Sequence, residues 1–145
     1  MRIYTIGFTK KSAERFFTLL RDSGARRIVD VRLSNASQLA GFSKRDDLRY
    51  FLSEIAGLDY VHLPILAPTQ GMLAAYRKSK GDWAGYERDF MALMHERRIE
   101  ESISREVVAD GCLLCSEDKP HRCHRRLVAA YLRDHWGGVD VVHLG

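Results

Sequence analysis

"GCLLCSEDKPHRCHRRLVAAYL", residues 111–132, runs from apolar to charged to apolar and holds every cysteine of the chain. Its opening, GCLLCSE, is a short apolar run of strand character. From KPHRCHRRLVAAYLRDHW the apolar residues fall at helical spacing, with Leu127, Val128, Tyr131, Leu132 and His135 on one face and His124 carried inward beside them. The polar loop SEDKPH lies between, with Asp118 as candidate helix cap and Pro120 fitting the first turn. A strand that passes through a short loop into a helix is half of a crossover, and VDVVHLG supplies the next strand.

The same alternation extends back to the start. RIYTIG (2–7) reads as a strand, and KSAERFFTLLRDSG as a helix capped by Ser12, lined by Ala13, Phe16, Phe17 and Leu20, and ended by Gly24. RIVDVR (27–32) and DYVHLP (59–64) are further strands. Between them SKRDDLRYFLSEIAG carries Leu48, Phe51, Leu52 and Ile55 at helical spacing, with Ser43 as candidate cap and Gly57 as the stop. PTQGMLAAYRKSKG gives a short helix. DWAGYERDFMALMHERR gives a longer one, capped by Asp82, with Trp83, Tyr86, Phe90, Leu93 and Met94 facing a core; IEESISREVVA continues helically after a break. The expectation is one α/β domain over residues 1–145, a mostly parallel sheet of about five strands with helices on both faces.

The bulk numbers agree. A chain of 145 residues with 46% hydrophobic content is long enough for one core. No apolar run approaches the roughly 18 residues that span a bilayer, so no membrane partner is expected. MRIYTIGF enters a strand pattern without the apolar region of a signal peptide. Three cysteines are odd in number and too few for a disulfide scaffold, which leads to the expectation of a cytoplasmic protein with reduced thiols. A net charge of +4 and a pI near 9.1 fit an anionic partner: a small anionic ligand first, nucleic acid second. No cofactor is assigned, and nothing in the sequence bears on oligomeric state.

In parallel sheets ligands bind outside the carboxyl ends of the strands. Three such ends carry reactive groups here. Asp30 and Arg32 share a face by the period of two, His62 ends the third strand, and Cys115, Ser116 and Glu117 follow the fourth. The candidate catalytic residues are Cys115, Glu117, Cys123 and His124. Asp30, Arg32, His62 and Arg125 are the candidate substrate-binding residues. A helix N-terminus favours a thiolate and a neutral imidazole, Glu117 can exchange a proton, and an arginine fork suits phosphate or carboxylate. The strand–Cys–loop–helix order is similar to the anion cradles of phosphatases and rhodaneses. Glu117 and Asp118 would repel a phosphate in such a cradle, so Arg32, His124 and Arg125 are the anion-facing groups, while Arg122 and Arg126 lie nearer solvent.

Blander readings stand beside these. Cys112 reads as a small buried hydrophobe, Trp83, Tyr86 and Phe90 as core, and RKSK (77–80) as a solvated helix end. His124 could be a structural histidine, Arg32 could serve only to pair with Asp30, and Glu117 with Arg125. The C-x-x-C of Cys112 and Cys115, with His121, Cys123 and His124 nearby, has enough ligands for zinc. Strand alternation sends its two cysteines to opposite faces, so no metal is assigned. The leading function class is an enzyme acting on a small anionic or nucleotide-like substrate. A nucleic-acid or nucleotide binding module comes second and a metal-binding protein third.

In their order and spacing, IYTIGF, VDVR, GFSKRDDL, YVHLP, GDW and LLCSEDKPHRCHR resemble the bacterial and archaeal family known as domain of unknown function 488. The resemblance implies a compact α/β domain. It also implies signature positions at Gly7, Asp30, Arg32, Phe42, His62, Cys115, Glu117, Cys123, His124 and Arg125. The chain departs from the family pattern at Phe8, where a histidine is usual, at Gln38, an arginine position, at Ala67 in place of glycine, and at Gln70, where a charge is usual. Most of those changes remove a charged or titratable group from the expected crevice, and altered or lost activity follows if the groups are catalytic in relatives.

Overall fold

Strand β1 (Arg2–Gly7) is buried at every residue but its first, as an interior strand of a sheet covered on both faces must be. A computed structural model gives this architecture and describes residues 1–35 and 41–145; Gln38 lies outside the described residues. Helix α1 (Ala13–Ser23) follows, with Ser12 accepting from the Arg15 amide and Gly24 closing it at φ 88°. Next come β2 (Arg27–Asp30), α2 (Arg45–Phe51) and β3 (Asp59–His62). A π turn at Leu52–Ala56 extends α2 to Gly57. Helices α3 (Gln70–Lys78), α4 (Trp83–Glu96), α5 (Ile99–Ser102) and α6 (Arg105–Val108) lead to β4 (Gly111–Cys115). Helix α7 (His124–Trp136) and β5 (Asp140–His143) complete the fold.

Among the described residues all four strand pairings are parallel, in the order β3-β2-β4-β1-β5. One face of the sheet presents Tyr4, Ile6, Ile28, Cys112 and Leu114 to Phe16, Phe17 and Leu20 of α1 and Leu48 of α2. The other presents Ile3, Val29, Leu113 and Cys115 to Phe90 and Met94 of α4 and to Leu127, Val128 and Tyr131 of α7. The α/β expectation holds, and the alternation along β4 does divide Cys112 from Cys115.

The order of strands makes the crevice. The chain leaves β2 for the α1/α2 side and leaves β4 for the α7 side, while β2 and β4 are neighbours. Two connections that part in opposite directions leave room above the strands they leave. On the other flank of β4 that room is filled. The loop after β4 crosses Gly7 so closely that a Cβ there would sit 1.5 Å from the Glu117 carbonyl oxygen.

Three local expectations change. Ser43 is not the cap of α2: it is buried in a 3-10 turn (Gly41–Ser43), and Lys44 stands at the cap position. Asp118 is not the cap of α7 either. A 3-10 turn (Pro120–Arg122) intervenes, Cys123 takes the cap position in extended conformation, and Asp118 instead binds Lys11 at 2.8 Å. His135 is exposed, its ring stacked on Tyr131 at 3.9 Å.

Candidate active site

Above the carboxyl ends of β2 and β4 lies a cavity of about 300 Å³. Arg32, Cys115, Cys123 and His124 line its inner part, and the exposed Glu117 and Arg122 line it where it opens. Tyr76 of α3 with Trp83 and Tyr86 of α4 form an aromatic wall. Trp83 and Tyr86 are stacked with ring centroids 5.2 Å apart, and Tyr76 meets Tyr86 at 5.2 Å.

Arg32 reaches this cavity as half of a buried pair. Its Nε and Nη2 each lie 2.8 Å from the two carboxylate oxygens of Asp30, and the Arg32 amide donates to Asp30 as well. Asp30 is fully buried and also accepts from the Tyr60 hydroxyl at 2.5 Å. Burial and that carboxylate raise the Tyr60 pKa. Phe8 lies under the guanidinium at 5.5 Å, a cation–π contact. Arg32 Nη1 has no hydrogen-bond partner among the described residues.

His62 stands behind this pair, its Nε2 2.7 Å from the Arg32 carbonyl oxygen, and is not among the cavity-lining residues. His124 does line it. Its Nε2 is 2.7 Å from the Val31 carbonyl oxygen. A carbonyl only accepts, so Nε2 carries the proton and Nδ1 the lone pair. Burial, reinforced by the Arg125 charge, pushes the His124 pKa down to about 4. The imidazole is therefore neutral at neutral pH.

Cys115, 1% exposed at the end of β4, and Cys123, 3% exposed at the head of α7, are joined by a disulfide. This departs from the expectation of reduced thiols, and only Cys112 is free. Arg125 lies against both sulfurs, with Nη1 3.4 Å from Cys115 Sγ and 3.6 Å from Cys123 Sγ. The same nitrogen donates to the Glu117 carbonyl, and Nη2 donates to the Asp118 carbonyl at 3.2 Å. Arg125 is thus bound to the backbone of Glu117 and not to its carboxylate.

The ligand atoms of Cys115, Cys123 and His124 come within 4.8 Å of one another, a possible three-donor set for a soft metal once the sulfurs are reduced. The Arg125 cation against both sulfurs opposes that use.

Arg125 is completely buried beneath the disulfide and is not among the cavity-lining residues, whereas Arg122, exposed as expected, lines the cavity mouth. The aromatic wall was also missed. Trp83 is half-buried and faces the cavity as well as the core, while Phe90 is wholly core. Gln70 is exposed at the start of α3, and residues 77–80 are solvated as expected.

No curated protein and no solved structure matches the chain. The pattern of one family, Domain of unknown function DUF488, matches residues 12–132, a span that runs from the cap of α1 to the last buried residues of α7 and includes all eight candidate site residues. The chain belongs to that family.

Proposed function

We propose that the cavity is the active site of an enzyme that acts on a small anionic ligand of nucleotide-like shape. The observation that carries this reading is the lining of one cavity by a cation, proton-exchanging groups and an aromatic wall at once. Arg122 at the mouth and Arg32 at the inner end supply positive charge for the anion. Tyr76, Trp83 and Tyr86 supply a surface on which a planar ring stacks. Neutral His124, its Nε2 proton held by the Val31 carbonyl, accepts a proton from a substrate hydroxyl at Nδ1, and the exposed Glu117 exchanges protons with solvent. Cys115, when its thiol is free, is the nucleophile. Asp30 and His62 hold Arg32 from behind and are positioning residues.

Calorimetric titration with nucleoside monophosphates, sugar phosphates and inorganic phosphate tests the reading. One-site saturable binding, stronger for the ligands with a ring, is expected. Absence of binding for every anion at low salt overturns it. Tighter binding of a single-stranded oligonucleotide, weakening steeply with salt, replaces it with a binding module.

A further inference from the structure

Arg125 is a completely buried cation that makes no ion pair among the described residues. Its Nη atoms go to two sulfurs and two backbone carbonyls, and its Nε has no partner among the described residues. Burial pushes its pKa down to about 10, which still leaves it charged at neutral pH. A buried guanidinium without a carboxylate leaves a desolvation cost that a neighbouring negative charge would offset. Neither a disulfide nor a carbonyl carries such a charge. The groups in contact that can acquire one are the sulfurs of Cys115 and Cys123.

Two further features bear on this pair. Cys123 caps α7, a helix of 13 residues, so the positive end of the helix dipole also faces the sulfurs. The loop that joins the two cysteines is fastened down, with the Thr9 amide bound to the Ser116 carbonyl at 3.0 Å and Lys11 bound to Asp118 at 2.8 Å. Reduction therefore leaves the sulfurs side by side. Cys112 has none of these features. It lies on the opposite face of the sheet, and burial raises its pKa far above that of a free thiol.

We propose that Cys115 and Cys123 are a reversible dithiol–disulfide couple, with Cys115 the thiolate held by Arg125, and that the chemistry of the cavity runs only in the reduced state. The role given to the reduced state rests on the function proposed above. The reductant is a low-molecular-weight thiol that enters through the cavity, which both cysteines line. Its thiolate attacks Cys123 Sγ, forming a mixed disulfide there, and the bond to Cys115 breaks with the electron pair left on Cys115 Sγ beside Arg125. A second small thiolate attacks the sulfur of the first and releases a small disulfide. Two electrons pass from the two small thiols to the protein. Of their two protons one ends on Cys123 and the other in water, because Cys115 stays ionised.

The test uses the wild-type full chain. Protein is equilibrated against mixtures of reduced and oxidised glutathione, trapped with an alkylating reagent and resolved peptide by peptide. Fully reduced protein is then alkylated with iodoacetamide across pH. Cys115 and Cys123 are expected to convert together and reversibly while Cys112 stays constant. The Cys115 midpoint is expected at least about one unit below the value of about 8.5 of a free thiol, and Arg125→Gln returns it upward. Independent thiols that never pair, or a Cys115 midpoint at or above the free-thiol value, overturn the proposal. If Arg125→Gln does not fold, the wild-type profile decides alone. Nucleoside monophosphate titration in both redox states separates the two readings. Binding without a thiol couple defeats only this one, and a couple without binding defeats only the cavity's substrate.

Discussion

Asp30 and Arg32 form a two-pronged ion pair, with both contacts at 2.8 Å, in which the carboxylate is fully buried and the guanidinium 3% exposed. Two charges so far from water are tolerated because each satisfies the other and because Tyr60 and the Arg32 amide take up the remaining carboxylate capacity. The pair fixes the position from which Arg32 reaches the cavity.

Removing one partner is therefore expected to cost more than removing both. Asp30→Asn leaves the arginine charge buried and unpaired and is predicted to destabilise the fold by about 3–5 kcal/mol. Asp30→Asn combined with Arg32→Met is predicted to be more stable than Asp30→Asn alone. Urea unfolding of the three proteins checks this, and additive losses would contradict the pairing.

Gly7 is required by the chain that crosses it. In Gly7→Ala the added carbon would lie 1.5 Å from the Glu117 carbonyl oxygen and 2.7 Å from Arg125 Nη1. Backbone on one side and a buried side chain on the other cannot yield cheaply. A loss of about 3 kcal/mol or more is expected, together with faster alkylation of Cys115 in reduced protein as its loop lifts. A thermal melt unchanged from wild type would show that the loop is not seated there.

The low pKa of His124 makes a statement about stability and pH. Burial lowers it from 6.5 to about 4, so between those values the unfolded chain binds a proton that the folded chain does not. Stability from this group is complete above pH 6.5 and falls as pH drops towards 4, by about 3 kcal/mol at most. In His124→Asn that part of the pH dependence is predicted to vanish, giving a flatter stability curve over the same window. Equal slopes in the two proteins would contradict a buried neutral imidazole.

Much of the fold was legible because its signals are local. Ser12, Gly24, Asp82 and Gly57 act on neighbours within a turn, and the alternation along β4 follows from the pleat alone. The order β3-β2-β4-β1-β5 has no local signal, since a crossover helix does not record which side of a strand it returns to. The place of Arg122 has a local cause: the 3-10 turn and the extended Cys123 (φ −138°, ψ 139°) take it out of the helical register of α7, which starts at His124, whereas Arg125 keeps its phase with Leu127 and Val128 inside the helix. Trp83 was read as core because an apolar stripe has the same spacing whether it faces a core or a cleft. The pairing of Cys115 with Cys123 crosses a strand end and a loop, where spacing says nothing about distance.

The two tryptophans allow the central claim to be examined in one spectrum. Trp83 is in the cavity wall, whereas Trp136 lies at the far end of α7 with its Nε1 donating to the Glu100 carbonyl. The decisive measurement is a titration of the ¹⁵N-labelled reduced protein with a nucleoside monophosphate, following both indole signals in wild type and in Arg122→Ala. The account predicts a saturable shift of the Trp83 indole, a still Trp136, and roughly tenfold weaker binding without Arg122, the cost of one exposed charge-assisted contact. A Trp83 signal that does not move at any ligand concentration, or one that moves no more than that of Trp136, would contradict it.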